Sequence, residues 1–414
     1  MSDCYDLLKL YEVGLEGKRQ KRRKGFELLW LPVLARKEVI RSMDVNEIIK
    51  LSMSSRRMEA MIRYTKVKSN KIGIHVNIKN SILQIESFNK NLYYCSPDQL
   101  KNGSNNFGSQ ILSRWIDKTS TSFQNCVSIL KHLQNIISFK SLCLHVNLKG
   151  MTVPFFKEIL TEPTLKDFEV LRLDKGKIDA ECLDLVMEMA QSNRSLHIKG
   201  TKVPENYYHE NAFKFHDIHY NNAEWVRIEH LFTLKDSYSV SLVSNQFTYQ
   251  DLNTYIKYWI ESDHDMVRKL VIGAGGVLQT ESLFDGILAL QGRRNRHTVY
   301  LVAANPTKQR KHQIMGVFLD SYRLHLFSFD KNEPIQLWGT GFAESWAPEY
   351  KVLMVMNKKE ELERELEETR NFLITTQDQN MVKKKNEISE ELQNVSKELD
   401  SYNLVFRDGF YSYT

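Results

Sequence analysis

One pattern constrains this chain more than any other: an apolar run with Leu or Ile two positions apart, closing on a turn residue, returns along its middle. The instances are Phe139-Leu142-Leu144-Asn147 in FKSLCLHVN, Phe168-Leu171-Leu173-Gly176 in FEVLRLDKG and Val267-Leu270-Ile272-Gly275 in VRKLVIGAG. Poorer copies surround Leu196 and Ile198 in NRSLHIKGT, and Val240 and Leu242 in SYSVSLVSN. With the second core position as marker, Leu144, Leu173, Ile198, Leu242 and Ile272 are separated by 29, 25, 44 and 30 residues. The long gap has room for one further unit around Ile218 in FKFHDIHY. Each run reads as a short strand, and helical patterns lie between the runs. AECLDLVMEMAQ puts Leu183, Val186, Met187 and Ala190 on one side. TYQDLNTYIKYWIES opens on Thr248 as a cap, with Asp251 third, and groups Leu252, Tyr255, Ile256 and Trp259.

Alternating strands and helices bury one face of each unit against the next, so the expected fold class is α/β. Residues 136–295 resemble an irregular leucine-rich-repeat array, which would be curved and offer an extended concave binding surface. A non-repetitive α/β domain with coincident strand patterns fits the same residues.

A second constraint lies upstream, in FELLWLPVLARKEVIRSMDVNEIIKLSMSSRRM, residues 26–58. Pro32 suits a first helical position, where its missing N–H costs nothing. Asp44 followed by Glu47 has the spacing of a capping box that opens a second helix carrying Ile48, Ile49, Leu51 and Met53. Ser54 and Ser55 break that helix, and Arg56, Arg57, Met58, Met61 and Ile62 start a third. About 45 residues of short helices cannot hide so much apolar surface among themselves. At roughly 1.5–3 kcal/mol for each buried Leu, Ile or Val, the remainder calls for a docking face or for the rest of the chain.

These residues resemble an F-box, the three-helix module that docks on the Skp-type adaptor of cullin-RING ubiquitin ligases. The matching positions are Leu31 and Pro32 at the start, Val39, Ile40 and Met43 on the first helix, Ile48 and Leu51 on the second, and the run Ser55-Arg56-Arg57. The resemblance implies that Leu31, Pro32, Val39, Ile40, Met43, Ile48 and Leu51 face the adaptor or form the core directly beneath that face. Met58 departs from the pattern, since many F-boxes carry Trp there. An ordinary helical subdomain packed on the rest of the chain is the competing reading.

The stretch Trp225–Ile260 is similar to the F-box-associated (type 2) region of the large nematode F-box family. The similarity rests on Trp225, Leu231, the Val240/Leu242 strand, Asp251-Leu252-Asn253 and Trp259. It implies a substrate-recognition region. The aromatics within it read as core and not as a ligand cage.

Beyond Ile272, HTVYLVAA, QIMGVFLD and YRLHLFSF pattern as strands of a small sheet capping the array. From Asn357 the composition turns to Glu, Lys and Leu. Leu362, Leu366, Thr369 and Leu373, then Ile388, Leu392, Val395, Leu399 and Tyr402, advance by heptad steps of 3 and 4 that TTQDQN interrupts. A helical hairpin against the main domain and a coiled-coil arm for weak self-association fit equally.

Charge locates one more segment. Residues 1–71 hold 17 Lys and Arg against 9 Asp and Glu, a balance of +8 in a chain of net charge +6, which leaves −2 for everything after. The excess centres on Lys18–Lys24, KRQKRRK, which reads as a nuclear import signal, a phosphate-seeking arm or a solvated tail. A body without surplus positive charge is not expected to bind nucleic acid. Cys4, Cys95, Cys126, Cys143 and Cys182 have no CxxC spacing, which argues against both a disulfide framework and a thiolate zinc site. The longest apolar run, LLWLPVLA, is too short to span a bilayer. A cytoplasmic or nuclear location is expected, with no membrane partner.

Motifs for catalysis are weak. GAGGVL at Gly273–Leu278 lacks both the third glycine of a dinucleotide loop and the lysine of a phosphate loop, and WGTGF near Gly339 is weaker. His209, His216 and His219 have no cysteine or suitably spaced acid beside them to complete a metal site. No catalytic residue, cofactor or metal is expected.

The expected order is a basic tail over 1–24, an F-box over 25–68, a connecting region over 69–135, and an F-box-associated, leucine-rich-repeat-like α/β domain over 136–295. A small β-rich cap over 296–356 and a charged helical or coiled-coil segment over 357–404 follow. The expected function is a non-catalytic one: recognition of a protein target by a ubiquitin ligase, through a Skp-type adaptor and cullin. The alternatives are a scaffold that self-associates through its C-terminal helices and a nuclear nucleic-acid-associated protein using the basic arm.

Overall fold

The structure is a computed structural model that describes residues 28–86, 91–95, 112, 115–273, 280–294, 297–320, 322–334, 345–376, 378–407 and 409–413. The Lys18–Lys24 run, most of GAGGVL, and WGTGF lie outside the described residues. Two compact units are present, Met1–Ser69 with Leu133–Ser138, and Asn70–His132 with Phe139–Thr414.

In the first unit a single 3-10 turn, Leu28–Trp30, leads into helices α1 (Val33–Ser42), α2 (Val45–Ser54) and α3 (Arg56–Thr65). Pro32 sits one position earlier than its sequence suggested. Its ψ of 147° is extended, so it caps α1 while its carbonyl accepts the first helical bond from Arg36 N at 2.9 Å. The capping box at α2 is present: Glu47 N donates to Asp44 Oδ1 at 2.8 Å and Asp44 N donates to Glu47 Oε2 at 2.9 Å. Ser55 both ends α2 and caps α3, its Oγ accepting from Met58 N at 3.2 Å. Ile40, Ile48, Ile49 and Ile62 form the buried centre of the three helices.

The second unit is built on a mixed sheet of fifteen strands among the described residues. A meander of β1 (Val67–Val76), β2 (Ser81–Glu86) and β3 (Asn91–Cys95) occupies one end. Helix α4 (Ser122–Ile136) then leads to β4 (Ile137–Asn147), β5 (Val170–Asp174), β6 (Ser195–Lys199), β7 (Asp217–Asn222), β8 (Ser237–Ser244) and β9 (Val267–Gly273). These six lie side by side in chain order and are parallel throughout. Helices α5 (Val153–Thr161), α6 (Ala180–Met187), α7 (Ile228–Phe232) and α8 (Tyr249–Glu261) lie in four of the crossovers. Because every crossover advances in the same direction and such connections are right-handed, they gather on one face of the sheet.

Two apolar columns line that covered face. Leu144, Leu171, Leu196, Ile218, Val240 and Leu270 are in register, as are Val146, Leu173, Ile198, Tyr220, Leu242 and Ile272. All twelve are at most 2% exposed. The strand-helix alternation read from the sequence is thus present, and the unit around Ile218 is β7. One marker assignment needs correction: Val146, not Leu144, stands level with Leu173, and within β7 it is Tyr220 that stands level with Ile198 and Leu242. Both inward positions of a strand are apolar, so only hydrogen-bond register distinguishes them.

Short helix α9 (Thr280–Leu283) precedes β10 (Leu290–Arg294), β11 (His297–Ala303), β12 (Ile314–Leu319) and β13 (Arg323–Phe329). These strands do not form a sheet of their own: β13 pairs antiparallel with β9, so they extend the parallel array. Helix α10 (Ala347–Thr375) begins well before the charged segment was expected to, because Trp346, Val352, Leu353 and Met356 pack on Leu290, Val299, Leu301 and Phe329. Helix α11 (Gln379–Asp400) folds back on α10 and buries Ile388 and Val395 against Leu362 and Leu366. Lys384 pairs with Glu365 at 2.7 Å and Lys358 with Glu391, the arrangement of an antiparallel hairpin. Of the two readings open for the heptads, the hairpin is the one observed. Strands β14 (Val405–Arg407) and β15 (Phe410–Ser412) follow, and β15 joins the sheet beside β10.

Candidate functional site

Each unit presents one candidate surface. In the first, the apolar residues divide sharply by exposure. Ile40 and Ile48 are core, Leu31, Val39, Met43 and Leu51 are half-buried, and Pro32 is exposed. The strongly exposed apolar side chains are ones the sequence motif did not single out: Trp30 at 82%, Leu34 at 77%, Val33 at 50% and Tyr64 at 65%. Lys37 Nζ stands 4.1 Å above the Tyr64 ring. The signal was available in retrospect: with Pro32 as cap, Val33 and Leu34 start α1 and precede the stretch whose spacing faces Ile40 inward.

In the second unit, an 820 Å³ cleft opens beyond the carboxyl ends of β6, β7 and β8, where open α/β sheets commonly bind ligands. Asn222, Trp225, Arg227, Gln246, Phe247 and Asp251 contribute to its wall. Trp225 is only 3% exposed and meets Tyr207 and Tyr220 at centroid distances of 5.5 and 5.3 Å. Its Nε1 is buried with no hydrogen-bond partner among the described residues. Behind it, His230 is buried, and its Nδ1 accepts from Arg227 N at 2.9 Å, which places the ring proton on Nε2. Burial pushes the His230 imidazole down, so it is held neutral.

Asp251 is held at the cleft by a second capping box. Its Oδ2 accepts from Thr248 N at 2.8 Å, and Asp251 N donates to Thr248 Oγ1 at 3.2 Å. Asn253 is turned away from the cleft and donates to the carbonyls of Leu283 and Asp285, both at 2.9 Å. Leu252, Tyr255, Ile256 and Trp259 are buried, as their spacing predicted, so the aromatics of this region are core. Lys202 and Arg227 alternate around the cleft with Glu205, Glu224 and Glu229. That mixture suits hydrogen bonding to an extended polar chain.

The histidines of the HENAF to FHDIHY region do not converge. His209 pairs with Glu188 at 3.2 Å, His216 stacks on Tyr238, and His219 lies on the sheet face opposite the crossovers, beside His197. Among the described residues, no group of three or more His, Cys, Asp or Glu is placed to hold a metal ion. Cys126, Cys143 and Cys182 are buried thiols, and burial raises Cys182 to about 12. No helix among the described residues is long and apolar enough to cross a membrane.

No curated protein and no solved structure matches this chain. Residues 208–272, which carry β7, α7, β8, α8, β9 and most of the cleft wall, match the family model described as F-box associated, and that domain points to the F-box proteins and to target recognition.

Proposed function

We propose that the chain is a nematode-type F-box protein, the substrate-recognition subunit of a cullin-RING ubiquitin ligase. Helices α1–α3 dock on a Skp-type adaptor, and the leucine-rich-repeat-like α/β unit holds a protein target in the cytoplasm or nucleus. The F-box-associated match at 208–272 carries this reading. The exposed Trp30, Val33 and Leu34 support it, because a three-helix unit leaving such side chains in water is suited to a partner. In this role the chain does no chemistry of its own. It raises the effective concentration of a target lysine near the charged ubiquitin carrier.

The test is co-purification of the full chain with a Skp-type adaptor, beside the double variant Trp30→Asp and Leu34→Asp. Both positions are exposed, so the variant keeps its fold. Losing two buried apolar anchors, each worth about 1.5–3 kcal/mol, should weaken binding about 100-fold or more. Equal binding by the variant would remove the docking assignment.

A further inference from the structure

The face of the parallel sheet opposite the crossovers carries a row that the sequence disperses. At one level across β4, β5, β6 and β7 stand His145, Arg172, His197 and His219, directly in register. His75 of β1 extends the row, its ring 4.2 Å from that of His145. Lys199 stands one level nearer the carboxyl ends, where a 610 Å³ hollow is lined by His75, His145, Asn147, Lys175, Lys199 and Asn221. Five consecutive strands thus offer imidazole or guanidinium at the same height.

Counter-charge on this face is short. Asp217 is engaged, its Oδ2 3.0 Å from His197 Nε2. Arg172 has no hydrogen-bond or ion-pair partner among the described residues, and its Nε is buried without one. His197 Nδ1 is likewise buried and unpartnered. Among the described residues, the acids set against Arg172, Lys175 and Lys199 on this face are Asp174 and Asp217. A half-buried guanidinium with unused donors is suited to a carboxylate, which it can take in bidentate fashion.

We propose that this row, centred on Arg172 and flanked by His75, His145, His197, His219 and Lys199, seats an acidic segment of a protein partner, its carboxylates bound by Arg172 and Lys199. The proposal rests on the target-recognition reading above and names the chemistry of the target. Burial first, then His75, Arg172, His197 and Lys199, push the His145 imidazole down to about 3. Around His145 stand His75 from β1, Arg172 from β5, and His197 and Lys199 from β6.

The test uses the full chain with Lys18, Arg19, Lys21, Arg22, Arg23 and Lys24 each changed to Gln, so that the basic tail does not compete. The probe is a fluorescent ten-residue glutamate peptide, read by anisotropy beside a ten-residue glutamine peptide. Binding of the glutamate peptide alone is expected. Arg172→Gln should weaken it at least tenfold and Lys199→Gln several-fold. Equal binding of the two peptides, or no change with Arg172→Gln in a variant of unchanged thermal stability, would overturn the proposal. Adaptor binding keeps the two readings apart. Peptide binding lost with adaptor binding kept removes only the acidic-segment site, and the reverse removes only the adaptor assignment.

Discussion

His75 and His145 meet edge to face, ring centroids 4.2 Å apart and planes inclined by 68°. The contact joins the antiparallel meander of β1–β3 to the first strand of the parallel array, and it places one imidazole where a second would resist charge. Burial and that neighbour hold His145 neutral down to about 3. His219, His230 and His312 are lowered too, each chiefly by burial.

This lowering makes stability depend on pH with a definite sign. In the unfolded chain these histidines take up protons below about 6.5, while the folded protein resists doing so. The unfolded state therefore binds more protons, and stability is fully present above about 6.5 and falls as pH drops toward the folded values. The urea midpoint should fall between pH 7 and 5, and His145→Asn should remove part of the slope. A midpoint flat across that range would refute the assignment. Asp217 does not confuse the window: burial pulls its carboxyl up, but the hydrogen bond and charge of His197 outweigh that and leave it low.

Gly273 ends β9 against the backbone of β8. A Cβ there would lie 1.9 Å from Val243 O, a contact no side-chain movement relieves. Gly273→Ala should destabilise the α/β unit by about 1–3 kcal/mol or more. Gly73→Ala, whose Cβ would meet only ordinary contacts from 3.7 Å outward, is the control. Thermal unfolding of the two variants should separate them clearly; similar melting temperatures would contradict the close approach.

Arg310 is 8% exposed with its guanidinium 3.9 Å over the Trp259 ring, and none of its three nitrogens has a hydrogen-bond partner among the described residues. Burial lowers it to about 10. The cation–π contact contributes about 2 kcal/mol, while the desolvation of an unpaired charge costs several. Arg310→Met keeps most of the packing volume and should be neutral or stabilising, whereas Arg310→Ala opens a cavity and should destabilise. Chemical denaturation that ranks the two variants equally would show that the charge, and not the stem, is what matters.

Asp44 joins α1 to α2 through its reciprocal bonds with Glu47. Asp44→Ala should cost about 1 kcal/mol of stability, and Asp44→Asn much less. In hydrogen exchange the first-turn amides of α2 should open faster in the alanine variant. Unchanged exchange would mean that packing of Ile48 and Ile49 alone holds the helix start.

Local chemistry was legible without coordinates. Asp44 and Glu47, or Thr248 and Asp251, form capping boxes because the partners lie three residues apart and the helix itself brings them together. The inward sets Leu183, Val186 and Met187, and Leu252, Tyr255, Ile256 and Trp259, follow from helical period alone. The resemblance around Trp225 and Trp259 fell inside the F-box-associated match.

What local chemistry could not decide was every relation between segments. Level pairing of Val146 with Leu173, the joining of β13 to β9, and the folding of α11 onto α10 depend on contacts between residues far apart in the chain. Strand periodicity is satisfied equally by either inward residue and by a separate sheet or a continuous one. The row of His145, Arg172, His197 and His219 is the clearest instance. Each residue alone is an ordinary polar position on a strand. Only parallel register, set by backbone hydrogen bonds that carry no side-chain identity, brings them to one height. By itself the sequence determined which residues of its helices face inward and where capping boxes open α2 and α8; the tertiary structure decided which outward-facing residues become neighbours, because nothing in a strand's own sequence specifies who lies beside it.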